Sequence, residues 1–191
     1  MKLKRLSRVF FDRSTITVAK DLLGKVLARK IGNKIIRVTI TETEAYVGPK
    51  DLASHASHGR TARTEIMFGL PGYAYVYMIY GMYFCLNIVT EQDGYPAAVL
   101  IRAGKLATRK KNNSLIASRY LLMANLDGPG KLCRFLKIDK SLNREYVITS
   151  KKLWFEDWGT VIKLNQIKRT KRIGIDYAGK YKDKLWRFVI K

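Results

Sequence analysis

A chain of 191 residues in which 47% are hydrophobic and 11% aromatic carries enough apolar material to order one large domain, 1–191, and this excludes wholesale disorder. Its formal charge of +22, from 37 Lys and Arg against 15 Asp and Glu, is spread along the whole sequence, so the surface itself is expected to be basic and to attract polyanions, nucleic acid first. Two cysteines without paired spacing argue against a zinc site or disulfide framework, and the absence of any run of ~18 apolar residues or of a signal-peptide pattern points to a soluble, reducing compartment without membrane attachment.

In chain order, Ser14 and Thr15 precede an apolar pattern at Ile16, Ala19, Leu22 and Leu23 with Gly24 beyond it, which predicts a short helix. Lys25 to Lys30 and Ile35 to Tyr46 flank Gly32 and Asn33, a β-hairpin pattern. Val76 to Ile79 and Tyr83 to Val89 pair around Gly81, and Ala97 to Ala103 adds a strand after the turn at Asp93 to Pro96. Residues 106–126 have helical composition but carry Asn112, Asn113 and Ser114 in their first half, so a broken helix or a helix with a loop is expected. Gly128, Pro129 and Gly130 open a short helix through Leu136, basic residues fill a solvated or DNA-facing loop from Asn165 to Arg172, and Leu185 to Ile190 alternates like a closing strand. The expected fold class is mixed α/β (α+β), a single domain with a curved antiparallel sheet core flanked by helices.

Strand alternation places Ile36, Val38, Ile40, Glu42, Glu44 and Tyr46 on one face, so Glu44 is expected at the rim of the core beside an aromatic ring, where desolvation suits a proton acceptor; a strand that runs out into solvent is the plain alternative. Arg102 ends a buried run and calls for a carboxylate partner. His55 follows nine residues after Tyr46, and Glu44, Asp51, His55 and His58 also admit a metal-dependent nuclease reading, although their spacing matches no helical zinc pair. The densest pattern is Tyr73 to Asn87, which opens with five tyrosines in eleven residues. Tyrosine offers a flat face for a base and a polar tip, and Tyr80 beside Gly81 is the one expected to project as a wedge. Asn87, on the alternation face of Tyr83 and Cys85, either braces the hairpin or tests the edge of a bound base.

Taken together these segments resemble the alkyladenine DNA glycosylase family, also called 3-methyladenine or methylpurine DNA glycosylases. The resemblance runs over nearly the whole chain, through Glu42-Thr-Glu44-Ala-Tyr46, Gly48-Pro49, His55, Met67-Phe68, Pro71-Gly72, Tyr75 to Asn87, Arg102, Gly128 to Cys133 and Arg172-Ile-Gly174. It implies that Glu44 activates a water beside Arg102, that Tyr46, His55 and Tyr77 hold a flipped base, and that Asn87 discourages guanine. It further implies that Tyr80 fills the gap in the duplex, supported by Met82 and Tyr83, and that Arg60, Gly130, Lys131 and Lys140 lie near phosphates. The implied activity is a monomeric, monofunctional glycosylase acting on double-stranded DNA that contains damaged purines, without metal or other cofactor. The implied setting is cytoplasmic and nucleoid-associated, or nuclear in a eukaryote. A basic, non-catalytic RNA- or ribosome-binding domain is the alternative that charge alone supports.

Overall fold

The computed structural model describes residues 4–107 and 126–191. The helix expected over 106–126 lies almost entirely outside them. Strand β1 (Lys4–Arg5) leads into two short helices, α1 (Arg8–Phe11) and α2 (Thr15–Asp21), and then into the expected hairpin of β2 (Val26–Ile31) and β3 (Lys34–Val47). A long connection holding two 3-10 turns, His55–His58 and Glu65–Phe68, precedes the tyrosine-rich hairpin of β4 (Ala74–Ile79) and β5 (Tyr83–Val89) and the buried strand β6 (Ala97–Leu106). Helix α3 (Pro129–Phe135) has its proline at the start, where the missing N–H costs nothing. Strands β7 (Leu153–Asp157), β8 (Ile167–Thr170) and β9 (Arg187–Ile190) complete the described chain.

Among the described residues all nine strands join one sheet in the order β1-β7-β2-β3-β6-β5-β4, with β9 on β3 and β8 on β9, and every pairing is antiparallel. Strand β3 is the spine. One edge pairs β6 along most of its length, while the other takes β2 over its first half and β9 at Glu42 to Glu44. On one face, Val38, Ile40, Leu86, Ile88, Val99 and Ile101 pack with Phe11 and with Val18, Ala19 and Leu132 of α2 and α3 into the main core. Carboxylate Glu91 reaches back to accept from the Thr15 backbone N–H at 2.6 Å and its hydroxyl at 2.7 Å, so the first turn of α2 is anchored from the far end of β5. Among the described residues the opposite face is covered by loop segments rather than by helices: Ala56, Ile66 and Met67 pack on Tyr75 and Ala98, and Ala53, Ile175 and Ala178 pack beside Tyr46.

Two expectations are corrected. The segment Asn165 to Arg172 is not a loop, because Ile167–Thr170 pairs with β9 as a strand; Lys168, Arg169 and Lys171 are exposed, but Arg172 is buried. Nor does β3 keep one alternation throughout. Thr41 on β3 and Arg102 on β6 are each skipped in the pairing, so the register that runs Ile40 to Gly104 resumes unchanged at Thr43 to Ile101, but with faces exchanged. Ile36, Val38 and Ile40 lie with the main core, and so does Ala45, while the Thr43 hydroxyl donates to the Ala19 carbonyl of α2. Glu44 and Tyr46 therefore point to the other face. Close contact at this double irregularity needs Gly104, since a Cβ there would collide with the Val38 side chain and the Thr39 carbonyl.

Candidate active site

Between that second face and its covering loops lies a cavity of about 500 Å³, ample for a small organic group. Every second residue of three neighbouring strands lines it: Tyr75, Tyr77 and Ile79 of β4, Tyr83, Cys85 and Asn87 of β5, and Ala98, Leu100 and Arg102 of β6. The Tyr75 and Tyr77 rings sit 5.1 Å apart at 36°. His55, on the turn above, approaches the Tyr77 ring edge-on at 4.6 Å and places its Nδ1 2.8 Å from the Tyr75 hydroxyl. Burial, and then the nearby charges of Arg63 and His58, lower its pKa to about 4, so the ring is neutral at physiological pH. The neutral ring keeps one N–H, which lies on Nε2 if the Tyr75 hydroxyl donates to Nδ1 and on Nδ1 if it accepts. Burial also pushes the Cys85 thiol up to about 11, which leaves it protonated in the wall.

The charged part of the site centres on Glu44, whose side chain is fully buried. Its Oε2 accepts from the Tyr46 hydroxyl at 2.8 Å and from Arg102 Nη1 at 3.2 Å, and its Oε1 accepts from the backbone N–H of Ile173 at 2.9 Å. A carboxylate presents about four acceptor directions, so these three donors leave one, on Oε1. Arg102 also donates through Nε to Glu42 Oε1 at 2.8 Å, and Arg187 Nε meets the same oxygen at 2.6 Å. Burial disfavours the Arg102 cation, but the carboxylates of Glu44 and Glu42 outweigh it and hold the group above its ordinary value. Tyr46 is raised well above the usual phenol range, first by burial and then by the Glu44 charge. The result is a carboxylate screened from solvent and held by one cation, one phenol and one amide.

The residues singled out in the sequence fall into three groups. Tyr46, His55, Tyr77, Asn87 and Arg102 all line the cavity, and Glu44 sits immediately behind Tyr46 and Arg102 without lining it. Asn87 is almost fully buried and donates from Nδ2 to the Tyr75 carbonyl at 3.4 Å. Tyr80, Tyr83, Gly130 and Lys131 also line the cavity, with Tyr80 83% exposed at the tip of the β4–β5 turn and Gly130 lying so close to the Tyr83 ring that a Cβ would press on it. Met82 is 64% exposed on the same turn but is not part of the lining. Arg60 and Lys140 are exposed away from the lining; Arg60 pairs with Glu65 at 3.4 Å and stacks over Phe68, and Lys131 pairs with Asp127 at 2.7 Å. Among the described residues no three of Glu44, Asp51, His55 and His58 gather as a candidate metal site, and Glu44 pairs with Arg102, Asp51 with Arg172 and His55 with Tyr75.

Sequence reasoning missed three partners. Tyr75 was one tyrosine among five, and only its pairing with Asn87 across β4 and β5 places it beneath His55. Ile173 acts through its backbone, which leaves no trace in residue type. The forked pairing of Arg172 with Asp51 joins positions 121 apart, and no local pattern announces it.

Residues 9–191 match the model of a protein family described as methylpurine-DNA glycosylase. A protein of Methanocella arvoryzae is 50% identical over 186 residues, 96% of this chain and 90% of that protein. One of Clostridium perfringens is 46% identical over 198 residues, covering 98% and 96%, and one of Ehrlichia chaffeensis is 46% identical over 185 residues, covering 97% and 92%. Each carries the name "Putative 3-methyladenine DNA glycosylase".

Proposed function

Since the chain belongs to the methylpurine-DNA glycosylase family, we propose that it binds duplex DNA, turns an alkylated or deaminated purine out of the stack into the aromatic cavity, and hydrolyses the bond between base and sugar. The observation that carries this reading is Glu44, a solvent-screened carboxylate behind the cavity wall with one acceptor direction left for a water. Glu44 takes one proton of that water as its oxygen bonds to C1′ of the sugar. The N-glycosidic bond breaks, and its electron pair leaves on the purine nitrogen. Alkylation makes the purine cationic, so departure neutralises it, and until then the faces of Tyr46 and Tyr77 stabilise the cation. Arg102 holds the Glu44 carboxylate in orientation through its Nη1 contact.

Neutral His55 presents a donor to the edge of the base without adding charge to a pocket that must admit a cation. Asn87 stands where the exocyclic amino group of guanine would collide. Tyr80 enters the duplex in place of the extruded nucleotide, with Met82 and Tyr83 beside it, and Lys131, Gly130, Arg60 and Lys140 meet phosphates as a monomer of the protein binds. Hypoxanthine and other neutral lesions belong to the substrates on this reading, and because a neutral base would otherwise leave as an anion, their release also needs a proton donated to the departing purine.

The test is incubation of methylated and of hypoxanthine-containing duplex with the protein in EDTA, followed by chromatography of released base and alkali treatment of the DNA. Free purine and alkali-labile sites without prior strand cleavage are expected. Strand cleavage that appears only when magnesium replaces EDTA would establish the nuclease reading, and tight RNA binding with no base released under either condition would establish the non-catalytic one.

A further inference from the structure

Asp51 and Arg172 form an ion pair whose two side chains are both fully buried, yet neither lines the cavity. Such a pair is a poor source of net stability, because removing both charges from water offsets most of their attraction; what it supplies is a fixed geometry. Here the geometry converges on Glu44. The Arg172 fork engages both Asp51 oxygens, with Nη2 to Oδ1 at 2.8 Å, and Nη1 also donates to the Ala45 carbonyl at 2.8 Å, between Glu44 and Tyr46 in the chain. Its guanidinium lies over the Tyr46 ring at 4.8 Å and the Trp186 ring at 5.0 Å. The residue that follows it, Ile173, donates its backbone N–H to Glu44 Oε1. Asp51 in turn accepts from Val47 N–H at 3.1 Å and Ala53 N–H at 3.2 Å, which fixes the segment leading to His55. Arg172 thus bears on two of the three donors to Glu44, the Ile173 amide and the Tyr46 hydroxyl.

We propose that Asp51 and Arg172 are positioning residues that hold the Ile173 amide and Tyr46 against the Glu44 carboxylate, and so set the rate of base release without touching DNA. The proposal rests on the glycosylase reading above. It is distinct from a general packing role because its effect on the rate of release depends on the Glu44 carboxylate being present.

The experiment compares single-turnover base release and binding of methylated duplex for the wild type, Asp51→Asn, Arg172→Lys, Glu44→Gln and the double variant Asp51→Asn with Glu44→Gln. Displacement of the amide by a fraction of an ångström is expected to slow release by roughly 10- to 100-fold, with Kd for the lesion duplex within about threefold of wild type. In the Glu44→Gln background the Asp51→Asn change is expected to slow release by less than about twofold, because residues acting as a unit are not additive. Thermal unfolding of each variant fixes an assay temperature at which it is folded; Arg172→Lys keeps the buried charge balanced and carries the test if Asp51→Asn does not fold. Wild-type rates in folded variants, a loss confined to Kd, or an equal loss in the Glu44→Gln background would overturn the proposal. An inactive wild type would overturn the glycosylase reading with it, whereas an active wild type beside unaffected variants overturns the positioning role alone.

Discussion

His55 stays neutral in a wall where an ordinary histidine would charge as the pH falls, because burial and the Arg63 cation oppose the proton. With a folded pKa of about 4 against 6.5 for the exposed side chain, the unfolded chain takes up a proton that the folded chain refuses. Stability from this group is therefore complete above pH 6.5 and is lost progressively as the pH drops towards 4. Melting temperatures measured across that window are expected to fall more for the wild type than for His55→Phe, and parallel curves would contradict the assignment. At this scale the sequence was most informative where a residue type is costly to bury: Glu44, Arg102, Asn87 and His55 were each picked out by chemistry and all converge on one site. Partners that act through the backbone, such as Ile173, or through long-range pairing, such as Arg172 with Asp51, have no comparable signature.

The β4–β5 hairpin shows what one element contributes. Tyr80 has φ 51° and Gly81 φ 67°, and Met82 N–H closes the turn onto the Ile79 carbonyl at 3.2 Å. Positive φ at both central positions follows the type I′ pattern, which costs glycine nothing but strains a tyrosine. Tyr80→Gly is therefore expected to raise stability by about 1 kcal/mol in denaturant unfolding, while reducing the base-analogue fluorescence that reports extrusion from the duplex. A variant that is less stable, or one that extrudes the base as well as wild type, would remove the argument that strain is kept here for function. Glycine beside tyrosine made this turn legible. The faces of β3 were misread for the opposite reason: alternation assumes an unbroken strand, and the paired skips at Thr41 and Arg102 exchange faces without altering the register that follows. Strand β7 escaped notice because Leu153, Trp154, Phe155 and Glu156 are all buried, so no alternation marks them.

Across the whole molecule, the charge of +22 is the property most open to measurement. If binding neutralises roughly five phosphates, the logarithm of the affinity for duplex should fall against the logarithm of salt concentration with a slope near −4.5, at about −0.9 per phosphate. A flat response in a fluorescence titration would sever the link between charge and DNA. An antiparallel sheet was foreseeable from three hairpin-like pairs, and these supply the strands β2 to β6. The placement of β7 between β1 and β2, and of β9 beside Glu42 and Glu44, was not, since pairings between distant segments leave no local pattern. Those pairings matter to the site, because β9 brings Arg187 to Glu42.

The central claim is that the Glu44 carboxylate activates the attacking water. Single-turnover release of purine from methylated duplex, compared between wild type and Glu44→Gln at saturating protein, tests it most directly. The account predicts a rate lowered by roughly 10²- to 10⁴-fold with lesion binding retained. A variant that binds the same duplex and releases base at the wild-type rate would contradict it.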